Sequence, residues 1–234
     1  MDRTMLITGV TGDLGPVVAT VMAETGARLA LTSRRQEALE DAVAELGLPQ
    51  EQILVVAADL ADTQEVTALI QAIESRWGGV DILLNCAGGW MGGQRIAETS
   101  DEDWERALAT NLHSAFRINR AVLPHMAEQG WGRIVNVASR AAESPGTSQV
   151  GYNVSKTGLV ALTESVAAEY RRRGVAANVI LPSIIDTPSN RANIPKADPD
   201  RWVQPQEIAE MMCFLCTDAG GSLNGASIAM YGRV

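Results

Sequence analysis

The chain has 234 residues, 46% of them hydrophobic and 20% charged, enough to bury the core of one large α/β domain. Its 28 acidic against 19 basic residues leave a formal charge of -9, which argues against a broad basic face for nucleic acid but leaves room for a compact phosphorylated cofactor. Three cysteines are too few for a disulfide framework, the first residues do not read as a signal peptide, and no apolar stretch approaches the roughly 18 residues of a membrane helix, so a reduced cytoplasmic protein is expected.

In chain order, short runs rich in Val, Ile and Leu at 5–7, 29–31, 53–57, 82–84, 134–137, 177–181 and 227–230 have strand length. They lack the alternation of a sheet with one wet face, and amphipathic helical segments at 17–24, 36–46, 63–77, 101–111 leading on to 129, 152–173 and 206–217 lie between them. The pattern is a doubly wound, mostly parallel seven-stranded sheet with helices on both faces, a Rossmann-type fold in one domain spanning 1–234. Gly26, Gly47, Gly78, Gly130 and Gly174 fall where left-handed helix caps are wanted. Only 187–205, with four prolines, breaks the rhythm, and it is expected to be a loop acting as a substrate lid.

Between the first strand and helix runs Thr8-Gly9-Val10-Thr11-Gly12-Asp13-Leu14-Gly15. A glycine-rich turn of this kind lets backbone N–H groups and a helix N-terminus approach a pyrophosphate. After the second strand comes Thr32-Ser33-Arg34-Arg35, with no acidic residue to hold two ribose hydroxyls. A guanidinium there suits a 2'-phosphate, so NADP(H) is favoured over NAD(H). Ser139 ends the fifth strand, and Tyr152 and Lys156 stand four apart on the next helix. That spacing puts the ammonium and phenol on one face, where the cation is expected to lower the Tyr152 pKa for proton exchange.

These motifs together resemble the short-chain dehydrogenase/reductase family over nearly the whole chain. In its Thr-Gly-x-x-x-Gly-x-Gly turn, Asp13 stands for the middle glycine, either repelling pyrophosphate or, the favoured reading, turning aside to cap the helix. The resemblance implies cofactor contacts from Thr8, Gly9, Thr11, Gly12, Asp13, Leu14, Gly15, Ser33 and Arg34 on the first two turns. It further implies Asp59 and Leu60, then Asn85, Ala87 and Gly88, with Cys86 replacing the usual Asn, and Pro182, Ile185 and Thr187 near the nicotinamide. Catalytic roles fall to Ser139, Tyr152, Lys156 and Asn111, the last through a proton relay to the lysine, while Tyr152 and Lys156 also touch the cofactor.

Gly88 to Gly93 and Asp186 to Trp202 resemble the dihydropteridine reductase branch, with Trp90 placed to stack on a flat substrate beside Ser139 and Tyr152. Three functions follow: reduction of a ketone or 3-oxoacyl carbonyl, reduction of a quinonoid dihydropterin, or dinucleotide sensing without turnover. A homodimer or homotetramer is implied, with Leu108, Leu112, Phe116, Leu159, Leu162 and Val166 as candidate packing faces. Neither a metal nor a nucleic-acid or membrane partner is expected, since Cys213 and Cys216 read as core and His113 and His125 lack ligand spacing.

Overall fold

The computed structural model describes residues 3–44 and 46–234 and lays seven parallel strands in one sheet. They are β1 (Thr4–Thr8), β2 (Arg28–Thr32), β3 (Ile53–Val55), β4 (Ile82–Asn85), β5 (Gly132–Val137), β6 (Val175–Pro182) and β7 (Ser227–Met230). Their order, β3-β2-β1-β4-β5-β6-β7, reverses between β1 and β4. Such a reversal opens a crevice beyond the carboxyl ends of the strands, where doubly wound folds take their ligands.

Both faces of the sheet are covered, which is why the strands carry apolar side chains at successive positions. Met5 and Ile7 face α1 (Gly15–Ala23) and α8 (Pro205–Leu215), packing with Val18, Met22, Ile208 and Met212. Leu6 faces the other way, in a second cluster with Leu69 and Ile73 of α3 (Thr63–Trp77) and Ile118 and Val122 of α5 (Ser114–Gln129). The remaining helices are α2 (Gln36–Ala44), α4 (Asp101–Leu108), α6 (Val150–Tyr170) and α7 (Pro188–Asn193). Among the described residues no helix is long and apolar enough to cross a membrane.

Several boundaries differ from the sequence pattern. The run 53–57 keeps only three residues in β3, an edge strand that pairs with β2 alone. The expected 36–46 helix stops at Ala44, and position 45 lies outside the described residues. The long helix expected from 101 to 129 is interrupted by a π-helical turn at Ala109–His113. The 187–205 segment is not a plain loop. Thr187 accepts from the Asn190 N–H and, with Pro188 at the first helical position, starts α7, and Asp198 caps a further short turn. Leu159 and Val166, candidates for a subunit face, are buried in the chain's own core.

Candidate active site

A cleft of about 1550 Å³ opens at the carboxyl edge, lined by the ends of β2, β5 and β6 and the turns following β1 and β4. In the first turn Gly9 has φ 70° and lies so close to β4's continuation that a Cβ would stand 2.8 Å from the Ala87 nitrogen. A Cβ on Gly15 would run into the Gly9 carbonyl, so glycine is required at both positions. The Gly12 N–H donates to the Gly9 oxygen (3.0 Å), and Thr11 and Ser33 share a hydroxyl bond of 2.8 Å that ties the turn to β2. Asp13 does not cap the helix as expected: Leu14 is the N-cap, without a side-chain bond, and Asp13 is exposed on the cleft wall. Residues 14 and 15 already follow helical geometry from Leu14 onward, which leaves position 13 one residue too early to cap.

Behind this wall a buried polar row crosses the sheet. Thr8, Asn85 and Asn136 occupy matched register positions on β1, β4 and β5. The Thr8 hydroxyl donates to Asn85 Oδ1 (2.7 Å) and accepts from the Ala87 N–H (3.1 Å). Asn85 Nδ2 donates to Asn136 Oδ1 (3.0 Å), which also accepts from Asn119 Nδ2 (3.1 Å), and Asn136 Nδ2 donates to Thr163 Oγ1 on α6 (3.0 Å). Thr8 and Asn85, expected at the cofactor, therefore sit behind the cleft and hold its floor in shape. Asn136→Leu leaves Asn85 Nδ2 without its acceptor and Asn119 Oδ1 without its donor, while Asn119 Nδ2 and the Thr163 hydroxyl still donate to the Ala115 and Leu159 carbonyls, and each of the two orphaned groups costs about 1–3 kcal/mol. We expect a loss of roughly 2–4 kcal/mol in urea unfolding; a change within about 0.5 kcal/mol, the range of neutral surface substitutions, would contradict this.

The catalytic side chains converge on the same cleft. Ser139 follows β5 and accepts from the Ala141 N–H (3.1 Å), while Tyr152 and Lys156 come from the first turns of α6. The Ser139 and Tyr152 hydroxyls are near enough for Ser139 to oppose the effect of burial on the phenol. The Lys156 ammonium is on the phenol's side of the helix, 5.9 Å from the ring centroid, but it donates to the Val137 carbonyl at 2.9 Å. The expected lowering of the phenol pKa is not found: burial raises Tyr152 above its usual 10.0, and only the Ser139 hydroxyl opposes it. Burial also lowers Lys156 to about 8, with Cys86 pulling the other way. The Cys86 thiol itself is pushed up to about 12, so it is no nucleophile at neutral pH.

Asn111 lies in the π-helical turn, completely buried and away from the cleft lining. Its amide accepts from the Gly89 N–H (2.9 Å) and donates to the Gly89 carbonyl (3.1 Å). A Cβ at Gly88 would stand 2.8 Å from Asn111 Oδ1 and 3.1 Å from Lys156 Nζ. Asn111 is thus a positioning residue that packs the 88–89 backbone onto the lysine. Thr187 too is buried and outside the lining, its hydroxyl spent on α7. Gly9, Thr11, Gly12, Asp13, Leu14, Gly15, Ser33, Arg34, Asp59, Leu60, Ala87, Gly88, Pro182 and Ile185 all line the cleft, as does Trp90.

Sequence reasoning passed over Arg140, Ser144, Gln149, Asn190 and Asn193, which line the catalytic end. Their only signals are adjacency to Ser139, nearness to Tyr152 and membership of the lid segment. Gln149 accepts from the Trp90 indole N–H (2.9 Å), and the Gly93 N–H donates to the Ser148 carbonyl (2.7 Å), so the 90–93 strip is fastened to the start of α6.

A family model described as short chain dehydrogenase matches residues 3–198. The chain belongs to the short-chain dehydrogenases. This dehydrogenase is 35% identical to the D-threitol dehydrogenase of Mycolicibacterium smegmatis, over 98% of this chain and 92% of that protein. It is 29% identical to a 3-oxoacyl-[acyl-carrier-protein] reductase of Vibrio cholerae, over 98% of this chain and 96% of the other. A crystal structure of actinorhodin polyketide ketoreductase with NADPH superposes with a TM-score of 0.90 at 30% identity, covering 99% of this chain and 96% of that one.

As a short-chain dehydrogenase the chain is an oxidoreductase whose fold binds a nicotinamide dinucleotide. The residues present fit that group. Thr32 Oγ1 is buried on the cleft wall without a partner, and no carboxylate among the described residues pairs with Arg34 or Arg35 beside it. Among the described residues no group of three or more His, Cys, Asp or Glu side chains could hold a metal ion.

Proposed function

We propose that this short-chain dehydrogenase reduces a ketone or 3-oxoacyl carbonyl with NADP(H). The observation that carries the reading is the convergence of Ser139 and Tyr152, with the Lys156 ammonium on the phenol's side of the helix, in the cleft that Arg34 also lines. A nicotinamide held in the cleft would supply the hydride. Ser139 and Tyr152 both direct O–H groups at the carbonyl oxygen, and Tyr152 yields its proton as negative charge develops there. Its raised pKa keeps the phenol protonated at neutral pH, the form that the reductive direction needs. Lys156, largely protonated below about 8, faces the ring and stabilises the phenolate left behind. Ser33 and Arg34, which line the cleft after β2, would hold the adenosine end of the dinucleotide, Arg34 supplying the charge that a 2'-phosphate needs.

A pterin substrate rests on Trp90, a residue 63% exposed with its N–H held by Gln149, and on the likeness of the lid segment 186–202, so the carbonyl reading has the wider support. Phe116 and Val154, exposed on α5 and α6, suit a contact between copies in a homodimer or homotetramer. The cofactor reading is tested by titrating NADPH and NADH against tryptophan fluorescence. Arg34→Ala should weaken NADPH by about 10- to 100-fold, the worth of a charge-assisted phosphate bond, and leave NADH nearly unchanged. Equal losses for the two cofactors would overturn the NADP assignment, and the absence of carbonyl-dependent NADPH oxidation would overturn the reaction.

A further inference from the structure

Around Ser139 and Tyr152 the polar side chains of the cleft wall are committed to the protein itself. Gln149 accepts from the Trp90 indole and donates to Asn153 Oδ1 (2.9 Å). Asn190 donates to the Ile185 carbonyl (2.9 Å) and the Ser183 hydroxyl to the Tyr231 carbonyl (2.9 Å). Arg140 donates to the Val234 carbonyl (3.1 Å), and its guanidinium stands 5.2 Å from the centre of the Tyr231 ring. Ser144 and Asn193 are exposed, where water satisfies them. Among the described residues, the one buried side-chain N or O of the cleft lining without a hydrogen-bond partner is Thr32 Oγ1, at the dinucleotide end. A site built to read hydroxyls or a carboxylate keeps polar groups aimed inward for them, and the catalytic end keeps Ser139 and Tyr152.

The surfaces left open there are apolar. Trp90, from the segment after β4, is 63% exposed, Ile194, just past α7, is 38% exposed, and Ile184, after β6, is half-buried. Trp90 is held in one pose despite its exposure. Gln149, which accepts from its N–H, is itself fixed by Asn153, whose Nδ2 donates to the Gly146 carbonyl (2.7 Å). The ring also lies against Gly92, where a Cβ would stand 2.9 Å from Trp90 Cζ2 and 2.8 Å from the Gln149 Cβ. An aromatic face braced by a polar network and left in water is a preorganised surface, because its ordering is complete before a ligand arrives.

We propose that Trp90 is a specificity-determining residue which, with Ile184 and Ile194, takes the non-reacting part of the substrate, so that the substrate class is a ketone bearing a flat apolar group, such as an aryl ketone, rather than a hydroxylated or anionic one. The assignment rests on the carbonyl reading above and narrows it. Ser139 and Tyr152 satisfy the one polar atom such a molecule must bury, and the indole face covers the ring.

The test measures kcat/KM at saturating NADPH for phenylacetone, butanone, dihydroxyacetone and pyruvate, in the wild type, Trp90→Ala and Trp90→Phe. Wild type should favour phenylacetone over dihydroxyacetone and pyruvate by about 10-fold or more. In Trp90→Ala the ratio of phenylacetone to butanone should fall by about 10-fold, the worth of one aromatic contact, chiefly through KM, and Trp90→Phe, which restores a flat face, should recover part of it. Dihydroxyacetone or pyruvate turned over as well as phenylacetone by the wild type, or an unchanged phenylacetone-to-butanone ratio in Trp90→Ala, overturns the Trp90 assignment and leaves carbonyl reduction standing. No turnover of any of the four by the wild type overturns both.

Discussion

Tyr152→Phe should lower turnover by about 10^2- to 10^4-fold, the usual contribution of a positioned acid, with dinucleotide affinity and fold intact. The substitution removes only the phenol oxygen, and the ring keeps its place on α6. Steady-state carbonyl reduction gives the first measurement and fluorescence titration with NADPH the second. Retention of more than about a tenth of the wild-type rate would remove Tyr152 from the reaction, since less than one power of ten falls below the range expected of a general acid. The same variant identifies the phenol spectroscopically. Of three tyrosines, the ultraviolet titration lost in Tyr152→Phe should be one with a midpoint above 10 in the dinucleotide-free protein. Reduction therefore needs no alkaline assistance, whereas oxidation, which requires the phenolate, should rise with pH.

Lys156→Met should abolish most turnover and at the same time stabilise the protein at neutral pH. The native lysine falls from 10.5 to about 8 because burial disfavours its charge, and a shift of that size corresponds to about 3 kcal/mol. Between about 8 and 10.5 the unfolded chain binds a proton that the folded chain has released, so wild-type stability rises with pH across that window. Below about 8 both states are charged and the whole burial penalty remains. Methionine escapes it but leaves the Val137 carbonyl without its donor, which offsets about 1 kcal/mol. We expect a net gain of roughly 1–3 kcal/mol by urea unfolding at pH 7, and loss of the wild-type rise above pH 8. A destabilised variant with an unchanged pH slope would show that the ammonium is not penalised by burial. Such an inverse relation between stability and activity is characteristic of groups kept for chemistry.

Strand positions were readable because a parallel sheet covered on both faces imposes unbroken apolar runs, and Leu6 facing away from Met5 and Ile7 meets a second apolar layer rather than water. The break at Ala109–His113 left no mark, since a single wider turn shifts hydrogen bonds without changing which residue types suit a helix. Thr8 and Asn85 carry family motif positions, and a motif cannot distinguish a side chain that touches a ligand from one that props the wall behind it. The four-residue spacing of Tyr152 and Lys156 correctly predicted a shared face. It could not show that the Val137 carbonyl, nineteen residues back in the chain, draws the ammonium toward β5.

The amide and hydroxyl row through Thr8, Asn85, Asn136, Asn119 and Thr163 joins three strands and two helices by side chains alone. Any partial opening that frees one of these elements from the others must expose several desolvated polar groups at once. We therefore expect the interior around β4 and β5 to open in an all-or-none transition, with amide protons there exchanging only when the entire domain unfolds.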